Sequence, residues 1–181
     1  MQESKDLLTQ ADKAIGDGDH GVGMARGFAS VQGALSEPSF GSLDEMFRAV
    51  GDALMRSVGG AAGAIFGTWF RGGATGLTGV QAFDAAALAS LLAEGLQAVK
   101  ARGKARPGDK TMVDALEPAA VMAAELRERP LAEALTGTVE AACQGMEATR
   151  AMVAQVGKAK TLGERSLGHE DPGALSTYLV L

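Results

Sequence analysis

The sequence predicts an all-α protein, one domain over residues 1–181, built as a bundle of seven or eight helices joined by glycine-rich loops. Three observations predict this. Hydrophobic residues make up 46% of the chain but aromatics only 4%, so Ala, Leu, Val and Met must fill the core. Such side chains suit closely packed helices better than a twisted sheet, which draws on β-branched and aromatic residues. No stretch alternates polar and apolar residues for long enough to make a strand. Glycine and charge collect in four loops, and no repeat, low-complexity tail or linker divides the chain.

The elements follow in order. Glu3 to Ile15 carries Leu7, Leu8, Ala11 and Ile15 at helical spacing and stops at Gly16. Gly16-Asp-Gly-Asp-His-Gly21 has too much glycine and charge to be other than a loop. Helical periodicity resumes from Val22 to Leu35, with Met24, Phe28, Val31 and Leu35 on one stripe. Gly33, Pro38 and Gly41 punctuate a turn, and Ser42 with Glu45 forms a capping box for a helix from Leu43 to Val58. Gly59-Gly-Ala-Ala-Gly63 opens a helix from Ala64 to Phe70, and Gly72 to Gly79 reads as a second glycine-rich loop. Asp84 begins an amphipathic stretch to Lys100, followed by a basic loop from Arg102 to Lys110. Thr111 and Asp114 form a second capping box, for a helix to about Arg127 that Pro118 should kink. Pro130 sits in the first turn of a last long helix to about Val156. Lys158 to Gly173 reads as a polar loop and Ala174 to Leu181 as a short apolar end.

Composition limits the partners. A net charge of −5 argues against nucleic acid or an anionic membrane, though not against a single nucleotide met by metal ions and backbone N–H groups. Cys143 is the only cysteine, so no internal disulfide forms and a reducing cytoplasm is expected. No basic-then-apolar leader is read at the start and no apolar run approaches the ~18 residues that span a bilayer, which predicts a soluble protein.

Asp12, Asp17 and Asp19 carry the chemistry. They crowd the C-terminal end of the first helix, where the dipole is negative and carboxylates are poorly placed unless a cation joins them. Asp17 and Asp19, two apart in an extended loop, point to one side, and the glycines at 16, 18 and 21 allow the tight path. Small hard cations such as Mg²⁺ take oxygen ligands of this kind together with substrate phosphates. The competing reading is a solvated acidic turn. Gly59 to Gly63, placed before a helix, suits phosphate at the positive helix end, or else close helix packing. It is neither a P-loop nor a dinucleotide fingerprint, since no Gly-Lys-Ser/Thr ends it and no strand precedes it.

The basic loops Arg102 to Lys110 and Lys158 to Arg165 could balance polyphosphate charge or simply be solvated. His20 and His169, the only histidines, lie in glycine-rich loops and could bond phosphate, ligate metal or do neither. Met112 could pack on an adenine ring or in the core, and Cys143 reads as a small core residue. Three aspartates facing a polyphosphate would gather roughly six or seven negative charges, which one Mg²⁺ leaves largely uncompensated and two nearly balance.

Four motifs, in this order, resemble those of DhaL, the nucleotide-binding L subunit of dihydroxyacetone kinase. They are Ala14-Ile-Gly-Asp-Gly-Asp-His-Gly21, Ser57-Val-Gly-Gly-Ala-Ala-Gly63, Gly108-Asp-Lys-Thr-Met112 and Leu162-Gly-Glu-Arg-Ser-Leu-Gly-His-Glu-Asp-Pro-Gly173. The resemblance covers nearly the whole chain. It implies a barrel of eight antiparallel helices with the nucleotide, ADP or ATP, at one end. It implies that Asp12, Asp17 and Asp19 hold two Mg²⁺ ions bridging the phosphates, and that His20, Gly21, Val22 and Gly23 form a phosphate-side loop. By the same resemblance Ala61 and Ala62 contact phosphate, Gly103 and Met112 line the nucleotide, Lys158 stands where the family often has Arg, and Asp171, Pro172 and Gly173 form a further nucleotide-contacting turn.

The resemblance further implies a K subunit that binds dihydroxyacetone through a histidine. Residues that activate the acceptor hydroxyl are therefore expected on that partner, and none is assigned here. A homodimer or hetero-complex is expected. The donor is either ATP or, in another branch, tightly held ADP rephosphorylated by a phosphotransferase-system protein. Departures from the family pattern are Gly23 for Asn, Ala62 for Ser, Lys158 for Arg, and an end soon after Asp171-Pro-Gly173 where the family has a fuller last helix. The function implied is a phosphotransferase subunit that serves a small hydroxy-ketone. The rival is a non-catalytic nucleotide-bound module that docks to a transcription factor.

Overall fold

The computed structural model describes residues 1–36 and 40–181, so Pro38 of the predicted turn lies outside the described residues. Eight α-helices are present among them: α1 (Lys5–Ile15), α2 (His20–Leu35), α3 (Leu43–Ser57), α4 (Gly60–Thr75), α5 (Ala85–Gly103), α6 (Val113–Glu125), α7 (Leu131–Ala148) and α8 (Pro172–Val180). Two 3₁₀ segments, Thr149–Ala151 and Lys158–Ser166, lie between α7 and α8, and no strand occurs among the described residues. Each helix packs on the next and α8 returns to α1, so the ring closes. Facing glycines record the antiparallel order of several pairs: Gly27 meets Leu54 while Gly23 meets Val58, and Gly137 meets Met122 while Gly145 meets Asp114.

Caps set several helix starts. The Ser42 hydroxyl accepts from Glu45 N–H at 3.4 Å, as the capping box predicts, and Asp84 accepts from Ala87 N–H at 2.8 Å. The second box is rearranged. Asp114 reaches back to Thr111 N–H at 2.7 Å, but the Thr111 hydroxyl accepts from Val113 N–H, and the other Asp114 oxygen takes Gly108 N–H at 2.6 Å. Asp114 thus folds the loop before α6, and Pro118 is held within that helix.

Three boundaries differ from expectation. α4 runs from Gly60 to Thr75 and takes in Gly72 and Gly73, because a Cβ on Gly73 would stand 2.5 Å from the Leu91 carbonyl of α5. Glycine there allows contact between backbones rather than a loop. α7 ends at Ala148 instead of Val156, and the expected polar loop holds two 3₁₀ turns joined across Gly163 at φ 56°. The apolar end is a helix begun by Pro172 and capped by Asp171, which accepts from Ala174 N–H at 2.8 Å.

The core is mainly Ala, Leu and Val, as composition requires, yet the few aromatics are concentrated in it. Phe66 and Trp69 are fully buried, and Trp69 packs tilted on Phe70 with ring centres 5.0 Å apart, a contact that continues through Phe47 to Phe83. Leu7 and Leu35, placed on the predicted apolar faces, are exposed. No described helix is long and apolar enough to cross a membrane.

Candidate functional site

One end of the ring opens into a cleft of about 730 Å³, within the range of small-molecule sites. Its walls are the α1–α2 connection, the start of α4, the loop before α6 and the segment from Val156 into α8. All four motif regions therefore meet at one place.

Asp12, Asp17 and Asp19 each offer a carboxylate oxygen, and these atoms lie within 4.8 Å of one another. Asp12 is buried and fixed: its Oδ2 accepts His20 N–H, the first amide of α2, at 3.1 Å. Gly16 is required beside it, since a Cβ there would fall 2.1 Å from Asp12 Oδ1. Asp17 and Asp19 are exposed on a turn that Gly18 makes at φ 79°. Lys158 bonds Asp17 and stands 3.9 Å from Asp19. Its ammonium holds Asp17 below the usual carboxylate range, and Asp17 in turn raises Lys158. Three convergent hard oxygen donors suit a small divalent cation.

The neighbouring residues divide between lining and support. His20, Val22 and Gly23 face the cleft from the first turn of α2, so the predicted loop is shorter and His20 already belongs to the helix. The His20 ring lies 2.7 Å from Ser176 Oγ and 6.4 Å from Phe66, and burial pushes its pKa down against the pull of Asp12 and Asp19. Gly21 does not line the cleft. It packs on α1, where a Cβ would stand 2.2 Å from the Lys5 carbonyl and 2.6 Å from Thr9 N. A Cβ on Gly23 would lie 2.8 Å from the Val58 carbonyl, so the missing side chain matches a close approach of α2 to the end of α3.

Across the cleft, Gly59 and Gly60 adopt φ 84° and 57° and turn the chain directly into α4, which places Ala61 and Ala62 on the lining at its positive end. Arg26, which sequence reasoning missed, clamps this turn: its Nε and Nη2 donate to the carbonyls of Ser57 and Val58 at 2.6 and 2.8 Å. An Arg one turn along α2 from the phosphate-side residues was the available signal. Met112 is buried and lines the cleft, against Gly173 of α8. Gly103 is not on the lining. It ends α5 behind Ile65, which is.

The basic loops contribute less than their charge suggested. Of the first, only Lys110 lines the cleft, and it is buried, with φ 61°. Its Nζ donates to the carbonyls of Thr149 at 2.6 Å and His169 at 2.5 Å, tying the loop before α6 to the ends of α7 and the 3₁₀ segment. Burial lowers its pKa, opposed by Asp171, Glu170 and Asp114. His169 is exposed and supplies this site only with its carbonyl. Asp171, Pro172 and Gly173 line the cleft where α8 begins, and burial with Asp114 nearby raises Asp171 to about 7. Cys143 is half-buried against the core, away from the cleft.

The model of the DAK2 domain family matches residues 14–181. A protein of Listeria innocua named as the ADP-binding subunit DhaL of a PEP-dependent dihydroxyacetone kinase is 39% identical over 180 residues, 99% of this chain and 86% of that protein. The ADP-binding subunit DhaL of a PTS-dependent dihydroxyacetone kinase from Lactococcus lactis is 38% identical, over 98% of this chain and 85% of its own length. The crystal structure of the dihydroxyacetone kinase of C. freundii with AMP-PNP and Mg²⁺ superposes with a TM-score of 0.76 at 25% identity, covering 99% of this chain and 30% of that larger one. With four motifs gathered on one cleft and that breadth of match, the chain belongs to the DAK2 domain family.

Proposed function

We propose that this chain is the nucleotide-binding subunit of a dihydroxyacetone kinase, which presents Mg²⁺-bound ADP or ATP phosphates to a small hydroxy-ketone held on a separate K-type subunit. The observation that carries the reading is the convergence of Asp12, Asp17 and Asp19 at the mouth of a nucleotide-sized cleft. Divalent ions on these carboxylates would neutralise the transferring phosphoryl group, and the charge balance favours two of them.

The chain's own residues do the positioning. Asp12, fixed by the α2 amide, sets the inner edge of the metal site, and Asp17 and Asp19 complete it from the exposed turn. The first turns of α2 and α4 direct backbone N–H groups towards phosphate from two sides, with His20, Val22, Gly23, Ala61 and Ala62 forming the surface. Met112 and the Asp171-Pro-Gly173 turn give the base and ribose an apolar floor and a capped helix start. Lys158 supplies a cation at the rim. The names of the two bacterial relatives support the branch in which resident ADP is rephosphorylated by a phosphotransferase-system protein.

The test is calorimetry with Mg·ADP on the wild type and on Asp17→Ala, which changes an exposed side chain. Loss of binding by at least tenfold is expected, since a ligand carboxylate is removed. Unchanged affinity would sink the metal assignment. Turnover with a K-type partner and phosphoenolpyruvate-derived phosphoryl donor, but not with free ATP, then identifies the donor branch.

A further inference from the structure

Lys158 stands at the rim of the cleft, and its ammonium is on the carboxylates of the aspartate turn. We propose that Lys158 is a two-position cation: it holds Asp17 and Asp19 together while they carry no divalent ion, and transfers to nucleotide phosphate when they do. The inference rests on the metal–nucleotide reading of this site.

The geometry supports both positions. Lys158 Nζ bonds Asp17 and lies 3.9 Å from Asp19, and among the described residues no other side-chain cation pairs with either carboxylate. Asp12 has its own partner in His20 N–H, so the lysine attends to the two ligands that the backbone leaves exposed. The same two carboxylates belong to the cluster within 4.8 Å, so a divalent ion and the ammonium compete for them. Two like charges at that spacing repel as well. Lys158 itself is well exposed and follows Gly157 at φ 70°, and Gly157, Lys158 and Ala159 all line the cleft. Four methylenes let the ammonium leave the aspartates without moving the backbone, while it stays beside the space between the aspartate turn and the start of α4. An Arg at this position, as in the resembling family, would meet carboxylate or phosphate as a planar fork rather than as a compact point charge.

A thermodynamic consequence follows. Metal binding alone must give up the lysine contact, and nucleotide binding regains one, so the lysine makes metal and nucleotide bind more cooperatively than bridging alone would. Removing the ammonium should therefore act in opposite directions on the two ligands.

The experiment is titration of Mn²⁺ alone, and then of ADP at saturating Mg²⁺, into the full chain as wild type, Lys158→Met and Lys158→Arg. Lys158→Met is expected to bind Mn²⁺ alone about two- to fivefold more tightly, the fold-change of an exposed ion pair, and to bind ADP with Mg²⁺ several-fold more weakly. Lys158→Arg should return ADP affinity towards the wild type. If Lys158→Met binds Mn²⁺ with wild-type or lower affinity while Asp17→Ala abolishes it, the metal site stands and the two-position role is refuted. If neither wild type nor Lys158→Met binds Mn²⁺, the site reading fails and takes this inference with it. Melting temperature monitors the fold, which an exposed lysine should not affect.

Discussion

Gly21→Ala adds one methyl group at the crossing of α1 and α2, and the structure gives its cost. The new Cβ would lie 2.2 Å from the Lys5 carbonyl, 2.3 Å from Thr9 Oγ1 and 2.6 Å from Thr9 N. Two of these are backbone atoms, so rotamer changes cannot relieve the clash, and the helices must part by about 1 Å to reach ordinary contact. Overpacking of this kind costs about 1–3 kcal/mol, against at most ~1 kcal/mol gained from alanine's helix propensity. With the clash near the middle of that range, about 2 kcal/mol, the net loss of about 1–2 kcal/mol lowers Tm by about 2–8 °C in a chain of this size. The same movement lengthens the 3.1 Å bond from His20 N–H to Asp12 beyond hydrogen-bond range, so the aspartate cluster loses its fixed corner. Scanning calorimetry with and without Mg·ADP reads both effects: a lower Tm and a smaller ligand-induced rise. Gly103→Ala is the control, because its Cβ would meet only the flexible end of Ile65 at 3.4 Å, and it should stay within about 0.5 kcal/mol of wild type. A Gly21→Ala protein as stable and as responsive to ligand as the wild type would refute the packing argument.

Three further outcomes are expected. Lys110→Met leaves the carbonyls of Thr149 and His169 without their buried donor and should cost roughly 2–4 kcal/mol, a fall of about 4–16 °C in Tm; a change under 2 °C (taking roughly 2–4 °C per kcal/mol) would contradict it. Arg26→Met releases the Ser57 and Val58 carbonyls and loosens the Gly59–Gly60 turn, so Mg·ADP affinity measured by calorimetry should fall about three- to tenfold with only a small loss of Tm. Asp171 titrates near 7 when folded and near 3.8 when unfolded, so the folded protein binds the extra proton between those values. Its contribution to stability is then full below pH 4 and lost as pH rises through 7. Relative to Asp171→Asn, which keeps the cap acceptor, the wild type should lose on the order of 1 kcal/mol between pH 5 and 8 in denaturant titrations. A constant difference across that range would refute it.

Much of the fold was legible because helical periodicity and capping residues are local signals: Ser42 and Asp84 stand at the starts they announce. Glycine misled where its role was tertiary. Gly72 and Gly73 look like a loop in one dimension, and only the approach of α5, with Ala98 against Gly72 and Leu91 against Gly73, explains them inside a helix. Gly21 looked like part of a phosphate loop and proved to be the contact between two helices. The clustering of Asp12, Asp17 and Asp19 was legible because all three fall within one helix end and the turn that follows it. Lys110 was not, since a lysine in a basic loop reads as solvated until its two carbonyl partners, from segments 39 and 59 residues away, are in place. Arg26 was hidden for the same reason: its acceptors are the backbone ends of another helix.

The contact between His20 and Ser176 spans 156 positions of the chain, and that of Lys158 with Asp17 spans 141. During synthesis the aspartate turn emerges well before the residues that close the cleft against it. Ordering of the site therefore waits on the slowest kind of contact, one between distant segments. Ligand capture then reports that the ring has shut, and a chain stalled before α8 would present its acidic turn without the wall that makes it a site.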